Sequence, residues 1–98
     1  LSLPIKGQAY VFGVGLLDSS NTTLHKTNPT IAAGDFKISK EGGAYANLTN
    51  LPAVSVANDI IVISLTASEM DADWLAVRAQ DQTSPVEWLQ RVLYLTTL

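Results

Sequence analysis

One histidine, no cysteine and a short run of acids are the chemistry-bearing residues of this 98-residue chain. His25 stands alone, so neither a multi-histidine metal site nor a serine triad with a histidine to spare is available. Set between Leu24 and Lys26, it reads as a solvated surface residue. Glu69, Asp71 and Asp73 gather three carboxylates in one stretch, the donor type that hard cations take. The calcium-loop pattern is missing, however: no glycine follows at the sharp-turn position and no closing glutamate appears. These acids are therefore expected in a solvated turn or the first turn of a helix. A hydrolase with paired carboxylates needs a cleft between two acids, and a domain this small has little room for one. Gly13-Val14-Gly15 lacks the third glycine, the lysine and the strand-to-helix context of a phosphate loop. No catalytic, metal or cofactor-binding residue is assigned.

The aromatic residues remain. Tyr10, Tyr45, Trp74, Trp88 and Tyr94 have rings that offer large contact area at small entropy cost, as stacking on a sugar requires. Core burial is the competing fate of either tryptophan. The sugar reading predicts Trp74 or Trp88 exposed beside Asp73 or Arg78.

Composition narrows the partners. A net charge of −3, with six scattered basic residues, argues against nucleic acid, which demands clustered Lys and Arg. The longest aliphatic run, Ile60-Ile61-Val62-Ile63, is far short of the roughly 20 residues of a membrane helix. Leu1-Ser2-Leu3-Pro4-Ile5-Lys6 lacks the charged segment and long apolar core of a secretory leader. Neither membrane nor cofactor is expected. Only 15% of residues are charged against 47% hydrophobic, which suggests a surface partly covered by neighbours.

Elements that would position these residues follow from periodicity. Residues 5–17 alternate: Gln8, Tyr10, Phe12, Val14 and Leu16 fall on a bulky face, Ala9, Val11, Gly13 and Gly15 on a small one. The small face predicts close approach of another backbone, or else a bulge at Gly13 or Gly15. Asn28-Pro29-Thr30 predicts extended backbone. Residues 35–48 predict a hairpin, with Phe36 and Ile38 inward and Gly42-Gly43 at the turn. Leu51–Ala57 is an edge strand or covered loop, and Ile60–Leu65, apolar on both faces, a central strand. Thr66–Asp73 predicts one helical turn capped by Thr66 or Ser68, and Trp74–Gln80 a further strand. For residues 86–98, Ser84, Pro85 and Glu87 form a capping-box pattern that locally favours a helix. The core would hold Tyr10, Phe12, Phe36, Ile61, Ile63 and Val77.

Two blocks carry a family resemblance. Asn28–Lys40 followed by Gly42–Leu48 and Leu51-Pro52, and then Ser64–Asp73 with the later Glu87-Trp88, resemble small structural proteins of tailed bacteriophages. The resemblance implies an immunoglobulin-like antiparallel β-sandwich of about seven strands, one domain over residues 1–98. It also implies that the acid-tryptophan pair opens a final strand, so residues 87–96 are assigned as strand despite the capping box.

The same resemblance implies a non-enzymatic virion component whose partners are other phage virion proteins, in many copies of a symmetric assembly. Tail side (tail tip, fibre base or collar) is favoured over capsid decoration. The interaction residues assigned are Val11, Gly13, Gly15, Trp74 and Trp88, with contacts over residues 7–16 and 86–98. A module binding a host-surface glycan is the alternative from another class. An enzyme acting on polysaccharide through Glu69 ranks last.

Overall fold

The computed structural model describes residues 3–98; Leu1 and Ser2 lie outside the described residues. Seven strands follow one another: β1 Tyr10–Val14, β2 Phe36–Lys40, β3 Ala46–Asn47, β4 Ala53–Val54, β5 Ile61–Leu65, β6 Trp74–Ala79 and β7 Arg91–Thr96. No helix occurs among the described residues. The strands form two antiparallel sheets, β1-β5-β4 and β3-β2-β6-β7. That order is an immunoglobulin-like sandwich with the first strand left out and an extra edge strand, β3, added beside β2, so β1 and β7 each end a sheet.

Alternation in each strand supplies the core. Val14, Ile61, Ile63 and Leu65 from one sheet meet Phe36, Ile38, Leu75 and Val77 from the other, with Leu16, Met70 and Trp88 from the connections. Full burial of each large aliphatic or aromatic side chain contributes about 1.5–3 kcal/mol. Tyr10 and Phe12, expected as core, are partly buried and pack against the edge of this cluster, their rings 5.7 Å apart. Gln8 is exposed, outside the strand.

Several boundaries depart from the pattern, each for a local reason. β1 is shorter than residues 5–17 because Gly7, at φ +78, breaks the extended chain before it. After it, Lys26 N–H donates to the Leu16 carbonyl and Leu17 bridges His25, so the chain folds back on itself. Asn28 is not extended but left-handed, at φ 48, a conformation asparagine tolerates better than most residues. In the β2–β3 hairpin Gly43 N–H donates to the Lys40 carbonyl, with positive φ at Glu41 and Gly42. The two central turn residues are thus Glu41-Gly42, one position before the expected glycine pair, in the mirror-image turn that suits strand twist.

The stretch after β5 makes one capped turn: Met70 N–H donates to the Thr66 carbonyl. Residues 91–96 are strand, so the capping box of Ser84 and Glu87 is overridden. Its groups have other partners: Glu87 N–H donates to Asp81 Oδ2, and Glu87 Oε1 accepts from Thr30 N–H. Glu87-Trp88 does not open β7, however. It pairs with the β1–β2 connection, where Trp88 bridges Asp18 and the Glu87 carbonyl accepts from Ser19 N–H.

Candidate functional site

The acids come first, because they carried the catalytic alternatives. Glu69 is buried, and its two carboxylate oxygens accept from Thr66 N–H and Thr49 N–H. Asp35, also buried, accepts from Ala32 N–H and Gln82 N–H, and Asp81 from Thr83 N–H and Glu87 N–H. Each carboxylate satisfies backbone amides that would otherwise be orphaned where loops cross. Asp71 and Asp73 are exposed and separate from Glu69, and no group of three metal-donor side chains forms among the described residues.

Shallow hollows interrupt the surface of the described residues, two of them of similar size. One of about 220 Å³ is lined by Leu17, Leu89, Gln90 and Arg91. The other, about 230 Å³, lies between Phe36 and the loop of Leu48, Thr49, Leu51 and Pro52. Neither gathers a histidine or a carboxylate. No helix among the described residues is long and apolar enough to cross a membrane.

Interaction surfaces are better built. Strand pairing fixes which backbone groups are free. Thr97 N–H donates to the Asp73 carbonyl, so in the β6–β7 ladder the odd residues of β7 bond to β6. Val92, Tyr94 and Thr96 therefore aim their N–H and C=O groups out of the sheet. Ser55 N–H donates to the Ile60 carbonyl, which by the same alternation turns Val11 and Gly13 outward from β1.

These two edges border one side of the sandwich, pinned together at both ends. At one end Lys6 N–H donates to the Leu98 carbonyl and Leu98 N–H to the Pro4 carbonyl. At the other, Leu89 N–H donates to the Leu17 carbonyl, and the Arg91 guanidinium to the Gly15 carbonyl at 2.7 Å. The opposite side is ended by β3 and β4, two residues each, too short to template a partner strand.

Of the assigned interaction residues, Val11 is exposed beside the free edge of β1. Gly13 is exposed as well, whereas Gly15 is only partly so. A Cβ at Gly13 would come within 3.0 Å of Ile60 Cγ2, and one at Gly15 within 3.1 Å of His25 Nε2. The His25 ring thus stands over Gly15, and one methyl of Ile60 stands beside Gly13. Trp88 is corrected: at 1% exposure it belongs to the core, tilted against Phe36, and offers nothing to a partner.

Trp74 is 40% exposed, and alternation places it on the outer face of the four-stranded sheet with Ala76 and Arg78. Tyr94, opposite Ala76 in the register, is 75% exposed on the same face. Tyr45, just before β3, joins them by stacking under Arg78, whose Cζ lies 4.2 Å from the ring centroid. Three of the five aromatic candidates thus share one face, while Tyr10 and Trp88 turn inward. The sequence signal for this grouping was the strand period of β6 and β7; the pairing that sets Tyr94 beside Ala76 has no local signature. Comparison with known protein families, with curated proteins and with solved structures finds no match for this chain.

Proposed function

We propose that the chain is a non-enzymatic structural module of a tailed-phage virion, sited on the tail side and joined to its neighbours by β-sheet contacts. The observation that supports it is the pair of free edges on one side of the sandwich, five residues of β1 and six of β7. Exposed edges of that length are a template for strand addition. Neither strand carries a lysine or a proline, the residues that commonly blunt an edge, and Arg91 is the one charge in either. The three strands β1, β4 and β5 hold no charged residue at all, so their outer face also costs little to cover.

The test is imaging of assembled particles with this chain labelled, alongside a variant carrying Tyr94→Pro, which removes one outward N–H from the edge. Label at the tail with loss of incorporation in the variant supports the reading. Label spread over the capsid lattice would make the chain a decoration protein instead. Absence from particles would end the virion reading.

A further inference from the structure

The outer face of the four-stranded sheet brings together two cations that have no counter-charge. Lys37 and Arg78 are direct partners in the β2–β6 ladder, both with side chains outward. Like charges set opposite each other destabilise a sheet. Neither is relieved by an acid: among the described residues the ion pair formed is Lys6 with Asp73. Arg78 leans on Tyr45, which holds its guanidinium over the ring, and its buried Nε has no hydrogen-bond acceptor. The acids nearest in register, Asp35 and Asp81, are buried and accept from loop amides, and those past the Trp74 end are engaged there. Glu41 Oε2 accepts from Asp73 N–H, and Asp73 Oδ1 takes the Lys6 ammonium at 3.1 Å.

We propose that this face binds an acidic polysaccharide, the carboxylate of a sugar ring set against Lys37 and Arg78 and the ring faces laid on Tyr94 and Trp74. A planar guanidinium with no acid paired to it is suited to a carboxylate. Exposed aromatic rings suit the flat C–H face of a pyranose. A peptide fits less well on the face around Lys37 and Arg78, because the backbone groups of β2 and β6 are paired within the sheet. Nucleic acid needs more than two clustered cations on a chain of net charge −3. The site shares Tyr94 with the β7 edge but uses its ring and not its backbone, and it stands whether or not the virion reading does.

Titration of the full chain with alginate oligomers, followed by NMR or calorimetry, tests it, with dextran and polyglutamate as uncharged and peptidic comparisons. Alginate is expected to bind at least tenfold more tightly than either, and more weakly as salt is raised. Lys37→Glu, a half-exposed surface change, and Trp74→Ala are each expected to weaken alginate at least tenfold while the variants stay folded by far-UV dichroism. Failure of alginate to bind overturns the proposal. So does equal binding of dextran, equal binding of polyglutamate, or alginate binding that Lys37→Glu leaves unchanged. Should Trp74→Ala unfold the chain, Lys37→Glu and Tyr94→Ala together decide the matter.

Discussion

Thr66 and Glu69 cap one another: Glu69 N–H donates to Thr66 Oγ1 at 3.1 Å, and Thr66 N–H donates to Glu69 Oε1 at 2.8 Å. This reciprocal pair satisfies two amides at the start of the turn between β5 and β6. The second carboxylate oxygen reaches further and accepts from Thr49 N–H at 3.0 Å, tying that turn to the loop after β3.

Removing this carboxylate leaves the Thr66 amide and the amide of exposed Thr49 without their acceptor at once. Glu69→Ala is expected to lower stability by about 2–3 kcal/mol, and Glu69→Gln by roughly half that, since one acceptor oxygen survives. Urea unfolding of the two variants checks both values. A loss below about 0.5 kcal/mol for the alanine variant, within the range of ordinary surface changes, would mean that Glu69 has no structural role. Its place in the loop network would then need another explanation.

The β2–β3 turn makes a different demand. Gly42 sits at φ +79, where an L side chain costs about 1–2 kcal/mol, although a Cβ there would meet the Trp74 ring at only an ordinary 3.6 Å. Gly42→Ala is expected to destabilise by about that amount through backbone strain alone. Gly43 is the control: it has no positive φ, so any cost of Gly43→Ala arises from its 3.2 Å approach to the Lys40 carbonyl. Equal stability of Gly42→Ala and the parent chain in urea would contradict the turn geometry.

Much of this fold was readable before any coordinates, because side-chain period is a local property. Phe36 and Ile38 announce their strand and its inward face by alternation alone, as Leu75 and Val77 do, and the aliphatic run around Ile61 and Ile63 announces a central strand. What escaped was set by distant partners. Glu87 carries a helix-start pattern, yet its amide and carboxylate are taken by Asp81 and by Thr30. The small face that includes Gly13 and Gly15 was open to another backbone on period alone, because nothing in the sequence says that Ile60 stands beside the one and His25 over the other. Of the aromatic candidates, period placed Trp74 on the outer face, whereas strand pairing was needed to set Tyr94 beside Ala76 and Tyr45 under Arg78. The missing counter-charge at Lys37 and Arg78 is likewise a property of the assembled sheet.

Trp88 illustrates the difference between burial and satisfaction. Its indole is buried against Phe36, with ring centroids 6.2 Å apart, yet Nε1 has no acceptor. Trp88→Ala should cost about 3–5 kcal/mol for lost contacts and the cavity left behind. Trp88→Phe should cost less than half as much, because the lost N–H leaves no partner unsatisfied. Thermal unfolding of the pair gives the comparison. A phenylalanine variant as unstable as the alanine one would mean that the indole nitrogen is bonded after all.

Acid and alkali should act on two exposed sites with opposite sign. The Ser20 hydroxyl and then its N–H donate to Asp18 Oδ1, at 2.7 and 2.8 Å, and hold the carboxyl below the usual aspartate range. A group whose folded pKa is lowered contributes its stability above the ordinary value, near pH 4, and loses it as pH falls through the lowered one. Lys6 runs the other way: the hydrogen bond and charge of Asp73 raise its pKa, so its contribution holds below about pH 10.4 and fades as pH climbs past the raised value. Both groups are solvent-exposed, so the effects are small and the ion pair is screened by salt. Asp18→Asn should therefore flatten the acid limb of the urea midpoint against pH and leave the alkaline limb alone, whereas Asp73→Asn should flatten the alkaline limb. Salt at about 0.5 M should weaken the Lys6 effect, part of which is the charge of Asp73, more than that of Asp18, which rests mainly on the Ser20 hydrogen bonds. An acid limb unchanged by Asp18→Asn would show that the Ser20 bonds do not control that titration.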